Sequence, residues 1–165
     1  MLIVFGGLPG TGKSTLAKKL AERLRAIYLR IDTIERAIAE SAGAVSICDK
    51  GYRVAYALAE DNLRLGRTVI ADAVNPLRIT RKAWRRTAEH AGARIVEIEI
   101  VCSDPLKHRR RIETRVVDIP VAWDEVVTRT YEAWTGDRIS IDTAGQNIAQ
   151  SFARLSALVS DQLRS

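Results

Sequence analysis

The chain predicts an α/β domain in which a mainly parallel sheet of five strands carries helices on both faces. Three observations support that expectation. Short apolar runs alternate with stretches of helical periodicity along all 165 residues. A glycine-rich segment, Gly7-Leu8-Pro9-Gly10-Thr11-Gly12-Lys13-Ser14, joins the first apolar run to the first amphipathic stretch. Gly66 and Gly92 each close a helical stretch just before an apolar run, as glycine does by adopting a left-handed backbone at a helix end.

Taken in order, residues 2–5 form the first expected strand, and Leu16, Leu20 and Leu24 recur at helical spacing in a helix starting near Lys13. Residues 26–31 predict the second strand, which leads into Asp32-Thr33-Ile34-Glu35-Arg36. Residues 68–71 predict the third, followed by Asp72-Ala73-Val74-Asn75-Pro76. Residues 94–101 predict the fourth, and the basic run Lys107-His108-Arg109-Arg110-Arg111 comes after it. Residues 138–141 predict the fifth, ending in Asp142-Thr143-Ala144-Gly145. The closing helix places Ile148, Phe152, Leu155 and Val159 on one face, fit to pack on the sheet. Between residues 110 and 135, basic residues, Pro120 and three aromatics interrupt the pattern and predict a mobile insert.

Length suits one domain over residues 1–165. With 47% hydrophobic and 28% charged residues, the composition is that of a folded chain and holds no apolar run long enough for a membrane span. No basic leader precedes the first strand, and Cys48 and Cys102 make no disulfide framework, so a reducing cytoplasm is the expected location. A net charge of +6 calls for acidic partners. Nucleotides, sulfate or phosphate esters and nucleic acid all qualify, but aromatics at 5% are not interleaved with the basic residues, so nucleic acid is not the favoured partner. Oligomeric state is not legible.

The glycine-rich segment completes G-x-x-x-x-G-K-S/T in its required strand-to-helix setting and reads as a P-loop. Its glycines let backbone N–H groups curl around an anion at the positive end of a helix. Gly10, Thr11, Gly12, Lys13, Ser14 and Thr15 are the expected phosphate cradle; Lys13 reaches the outer phosphates and the Ser14 hydroxyl serves Mg²⁺. Asp72, at the end of a strand, occupies a Walker-B-like place as the second metal candidate. No Glu follows it, so a water-polarising carboxylate is missing there. Asp32 is placed to accept a proton from an attacking hydroxyl, and Arg36, one turn on, to hold an anionic acceptor. Asp32 with Glu35 equally has the spacing of a capping box. On a helix, Arg111 and Arg115 share a face and can act on one ligand, whereas Lys107 and Arg109 are expected on solvated surface. His90 and His108 are also expected at the surface, and Trp84, Trp123 and Trp134 in packing. Arg78, Arg81, Lys82, Arg85 and Arg86 read as a solvated helix face, although Arg78 and Arg81 lie close enough to the end of the third strand to touch an anionic acceptor.

Assembled, these residues resemble the small P-loop kinases that phosphorylate metabolites or polynucleotide ends: adenylylsulfate kinase, gluconate kinase, chloramphenicol phosphotransferase and the kinase domain of polynucleotide kinase. The likeness covers the P-loop, Asp32-x-x-x-Arg36, Asp72, Arg111-x-x-x-Arg115 opening a lid, and Ile141-Asp142-Thr143. It implies a P-loop NTPase three-layer αβα sandwich with a small helical lid over residues 110–135. It also implies ATP and Mg²⁺ as cofactors, adenine beside Thr143, Ala144 and Gly145, and transfer of the γ phosphate to a small-molecule hydroxyl. Asn75 stands where adenylylsulfate kinases carry a serine. Adenylylsulfate kinase-like activity, a polynucleotide 5′-hydroxyl kinase and a slowly hydrolysing nucleotide-binding regulator are the alternative expectations.

Overall fold

The computed structural model describes residues 1–42, 49–115 and 120–164. Five strands, β1 (Leu2–Gly6), β2 (Ile27–Arg30), β3 (Val69–Asp72), β4 (Ile95–Val101) and β5 (Ile139–Asp142), form one sheet. Their order is β2-β3-β1-β4-β5, and every neighbouring pair is parallel. The helices are α1 (Lys13–Leu24), α2 (Ile31–Ala42), α3 (Lys50–Arg64), α4 (Arg78–His90), α5 (Pro105–Glu113), α6 (Trp123–Thr128) and α7 (Ile148–Arg164). Each strand lies within a residue of its predicted position at either end, and the P-loop NTPase three-layer sandwich is the observed fold.

Alternation along the central strand builds the layers. Ile3 and Phe5 of β1 face α1 and α7 in a core with Leu16, Leu20, Ile70, Ile98, Ile100, Leu155 and Val159. Leu2 and Val4 face the other way, onto Ala55, Ala59, Leu63 and Trp84 of α3 and α4. Small alanines on α3 let that helix lie close to the sheet, and Gly66 and Gly92 stop α3 and α4 at positive φ, as expected.

Residues 131–135 correct the predicted mobile insert. Trp134 is buried over Gly6, where a Cβ would stand 2.2 Å from its ring. The buried Arg81 stacks on that ring 4.8 Å from its centroid and donates to the Glu132 and Ala133 carbonyls. This segment covers the face of β4 bearing Glu97 and Glu99, which pair with Arg85 at 2.7 Å and Arg138 at 2.6 Å. The end of the insert is thus part of the fold; residues 116–119 of the expected lid, and Cys48, lie outside the described residues.

Candidate active site

The carboxyl ends of the parallel strands share one edge of the sheet, the place where open α/β sheets take ligands. There the chain leaves β1 through the glycine-rich loop. Gly10 (φ +83°) and Gly12 (φ +93°) are left-handed, and Gly12 caps α1. A Cβ on Gly10 would lie 2.6 Å from Ile112, so α5 packs directly on the loop. Thr11 is buried and bonds the Leu8 carbonyl at 2.9 Å, closing the bend.

Lys13 is buried, and its Nζ sits 3.1 Å from Oδ1 of Asp72 and 3.4 Å from the Ser14 hydroxyl. Tyr28 donates to the other Asp72 oxygen at 2.7 Å. Burial pushes the Asp72 carboxyl up, but Lys13, Tyr28 and Ser14 together outweigh it and hold the group below its ordinary value. Asp72 is therefore ionised. The residues expected to serve phosphate and metal, Lys13, Ser14 and Asp72, thus converge. A hydroxyl and an ionised carboxylate are hard oxygen donors that suit Mg²⁺, which takes its other ligands from phosphates and water. Among the described residues no group of three His, Cys, Asp or Glu is placed to hold a metal unaided.

On the far side of α1 opens a cavity of about 880 Å³, lined by Gly12, Thr15, Lys107, Arg111, Thr143 and Gly145, among others. Arg111 donates to the Thr143 hydroxyl at 2.8 Å and to its carbonyl at 3.1 Å. Thr143 Oγ1 lies 2.8 Å from the Thr11 carbonyl, so the β5 turn is fastened to the P-loop. Asp142 shapes that turn by accepting from the Ser103 and Ala144 amides, each at 3.0 Å; Ser103 above all keeps its carboxyl below the usual range. Thr15, Arg111, Thr143 and Gly145 therefore line one hollow that opens onto the cradle, with Ala144 in the same turn.

Several expectations are corrected. Lys107 is half-buried in the cavity wall and donates to the Ala144 carbonyl, whereas Arg109 is exposed and pairs with Glu113 at 2.7 Å, as expected. His108 is buried, not at the surface: its Nε2 lies 2.7 Å from the Pro9 carbonyl, an acceptor, so the ring carries a proton there. Its ring also meets Trp123 edge-on at 5.2 Å. Arg115 lies beyond the end of α5, is exposed, and does not share a helical face with Arg111. The i, i+4 spacing failed because the helix stops at Glu113.

On the other flank, α2 starts at Ile31, directly after β2, so Asp32 lies inside the first turn and not at a capping position. Asp32 is exposed and accepts from Arg30 Nη2 at 3.0 Å. Arg36 follows one turn later on the same helix, also exposed. Glu35 packs on Gly51, where a Cβ would stand 2.3 Å from it, and burial with the charge of Asp32 pushes its carboxyl up against the pull of Arg129. Asn75, at φ +50° and fully buried, donates to the Phe5 carbonyl at 2.7 Å and accepts from Trp84 at 3.0 Å. Its place is structural: it ties the turn after β3 to the strand that feeds the P-loop.

The fold and the cradle define a nucleotide-binding P-loop kinase fold. The AAA domain family matches residues 2–135, and the chain belongs to that family of P-loop kinases. A cytidylate kinase from Ignicoccus hospitalis is 30% identical over 139 residues, spanning 81% of this chain and 76% of that protein. Two solved structures share the fold. A protein of Chloroflexus aurantiacus J-10-fl, provisionally named a kinase, is 21% identical with a TM-score of 0.78, covering 99% of this chain and 95% of that one. The Mycobacterium tuberculosis APS kinase, in complex with AMPPNP and APS, is 18% identical with a TM-score of 0.73, covering 96% of each chain.

Proposed function

We propose that the protein is an ATP- and Mg²⁺-dependent kinase that transfers the γ phosphate to a hydroxyl of a small anionic acceptor. One observation supports this above the others: two charged pairs stand at neighbouring strand ends. We assign Lys13 with Asp72 to the phosphate side and Arg30 with Asp32 to the acceptor side; Arg30 and Asp72 are in register across β2 and β3. The common arrangement in which a Glu beside the Walker-B Asp polarises a water is missing, since that residue is Ala73, which weighs against a motor-type ATPase.

In this reading Lys13 moves from Asp72 onto the ATP phosphates, and Ser14 and Asp72 would hold Mg²⁺, which would spread the charge of the polyphosphate. The P-loop amides and Lys13 orient the γ phosphate, and Arg111, released from Thr143, offsets charge developing on it. Asp32 receives the proton of the attacking hydroxyl. Helix α6, within the lid expected over residues 110–135, helps to exclude water. The adenine occupies the cavity beside Thr143, Ala144 and Gly145.

The test separates binding from chemistry. Asp32→Asn is expected to bind ATP with wild-type affinity by calorimetry while acceptor-stimulated ADP formation falls at least a hundredfold. Equal loss of both would assign Asp32 a structural role and overturn the reading. Acceptors to screen are hydroxyl-bearing metabolites, adenylylsulfate, a 5′-hydroxyl oligonucleotide and, because of the cytidylate kinase relative, cytidine monophosphate. For that last compound the acceptor oxygen belongs to a phosphate, and Asp32 would be dispensable.

A further inference from the structure

Arg30 ends β2, in register with Asp72 and two residues beyond the tyrosine that binds Asp72. Its side chain is about one-third exposed, and among the described residues its hydrogen bond runs from Nη2 to Asp32 at 3.0 Å. Its Nε is buried and has no hydrogen-bond partner among the described residues. An arginine presents its donors as a planar fork, suited to two oxygens of one oxyanion. A buried N–H that has lost water and gained no acceptor is destabilising, so the site favours a ligand that supplies one. Burial opposes the charge of Arg30, but Asp32 and Asp72 outweigh it. A fixed cation therefore stands between the metal-side carboxylate and the proposed base, with an unused donor on its buried side.

We propose that Arg30 is the acceptor's specificity residue: its guanidinium binds an oxyanion of the acceptor, with Nε–H as the unused donor, while Nη2, on the same edge, also keeps Asp32 aimed at the acceptor hydroxyl. This deepens the kinase reading and rests on it. The substrate class follows: a compound carrying a carboxylate, phosphate or sulfate close to the hydroxyl that is phosphorylated. A neutral alcohol leaves Nε unpaired and is a poor substrate.

Two experiments test it. In the first, inorganic sulfate is titrated into protein already saturated with Mg²⁺-ADP, so that the P-loop is filled, and the Arg30 Nε–H resonance is followed by NMR. A saturable shift of that resonance is expected; shifts confined to other residues would overturn the assignment. The nucleotide step reports separately on the kinase reading, through the P-loop amides. If ADP does not bind, the same sulfate titration on Lys13→Ala still tests Arg30. The second experiment compares matched acceptors, glycerol with glycerate and ribose with ribose phosphate. Wild type should favour the anionic member by about tenfold or more in kcat/KM, which corresponds to at least ~1.4 kcal/mol of discrimination. Arg30→Ala should bring that ratio near one, chiefly through KM, and Arg30→Lys should restore part of it, as a point charge without the fork. An unchanged ratio in Arg30→Ala would refute the proposal.

Discussion

Asp72→Asn makes the sharpest test of the phosphate side. The change keeps the shape of the side chain and its bond with Tyr28 but removes the charge facing Lys13. The two side chains are 0% and 8% exposed and 3.1 Å apart, so solvent screens little of their attraction. Removing one member of a buried pair typically costs about 3 to 5 kcal/mol, because the other charge is left unpaired. For a domain of this size each kcal/mol moves Tm by roughly 2 to 4 °C, so a fall of about 6 to 20 °C is expected in nucleotide-free protein. Lys13→Met should cost less, since Tyr28 and Ser14 still hold the carboxylate. The double variant should recover much of the loss, giving a coupling of at least ~2 kcal/mol in urea unfolding. If the single effects simply add within ~0.5 kcal/mol, the pair does not exist in solution and the account of a cradle held ready by Lys13 and Asp72 fails.

Arg111→Ala should weaken ATP binding about ten- to a hundredfold in calorimetry, because a charged donor lining the cavity is lost, while Arg115→Ala should leave it within about twofold. Asn75→Ala strands the Phe5 carbonyl and the Trp84 N–H and places alanine at φ +50°, so urea unfolding should show a loss of about 3 to 6 kcal/mol. Glu35→Gln tests a pH effect. With its folded pKa raised above 4.5, Glu35 binds its proton more tightly in the native state, so its contribution is present at acid pH and lost as pH rises through the raised value. The variant should therefore be more stable than wild type at neutral pH, with the gain vanishing near pH 4; equal stability throughout would refute it. Asp72 has the opposite sign: its contribution holds above its ordinary 3.8 and is lost only as pH falls through its lowered folded value.

The convergence of Lys13, Ser14 and Asp72, proposed here to serve phosphate, was legible because its sequence signal is local. A P-loop needs particular residues at fixed spacing, and strand ends follow from apolar runs, so Lys13, Ser14 and Asp72 could be placed without coordinates. The hollow beside Thr143 was half legible: the turn there follows a strand, but which of Arg109, Arg110 and Arg111 faces that hollow depends on how α5 rolls on the P-loop. His108 was missed because an isolated histidine carries no spacing signal, and its partner, the Pro9 carbonyl, is 99 residues away in sequence. Arg115 misled because periodicity does not reveal that α5 ends at Glu113. Glu97 and Glu99 alternate with apolar residues on β4, a readable sign that one face of that strand meets polar partners. Those partners, Arg85, Arg138 and Tyr131, come from elements that only the fold brings there.

Phosphorus NMR of protein mixed with Mg²⁺-ATP and the acceptor panel addresses the central claim most directly. The expected result is ADP and a new phosphomonoester in equal amounts with one acceptor, both absent in Asp32→Asn. Free phosphate released at the same rate with and without every acceptor would contradict it, and would identify a nucleotide hydrolase instead.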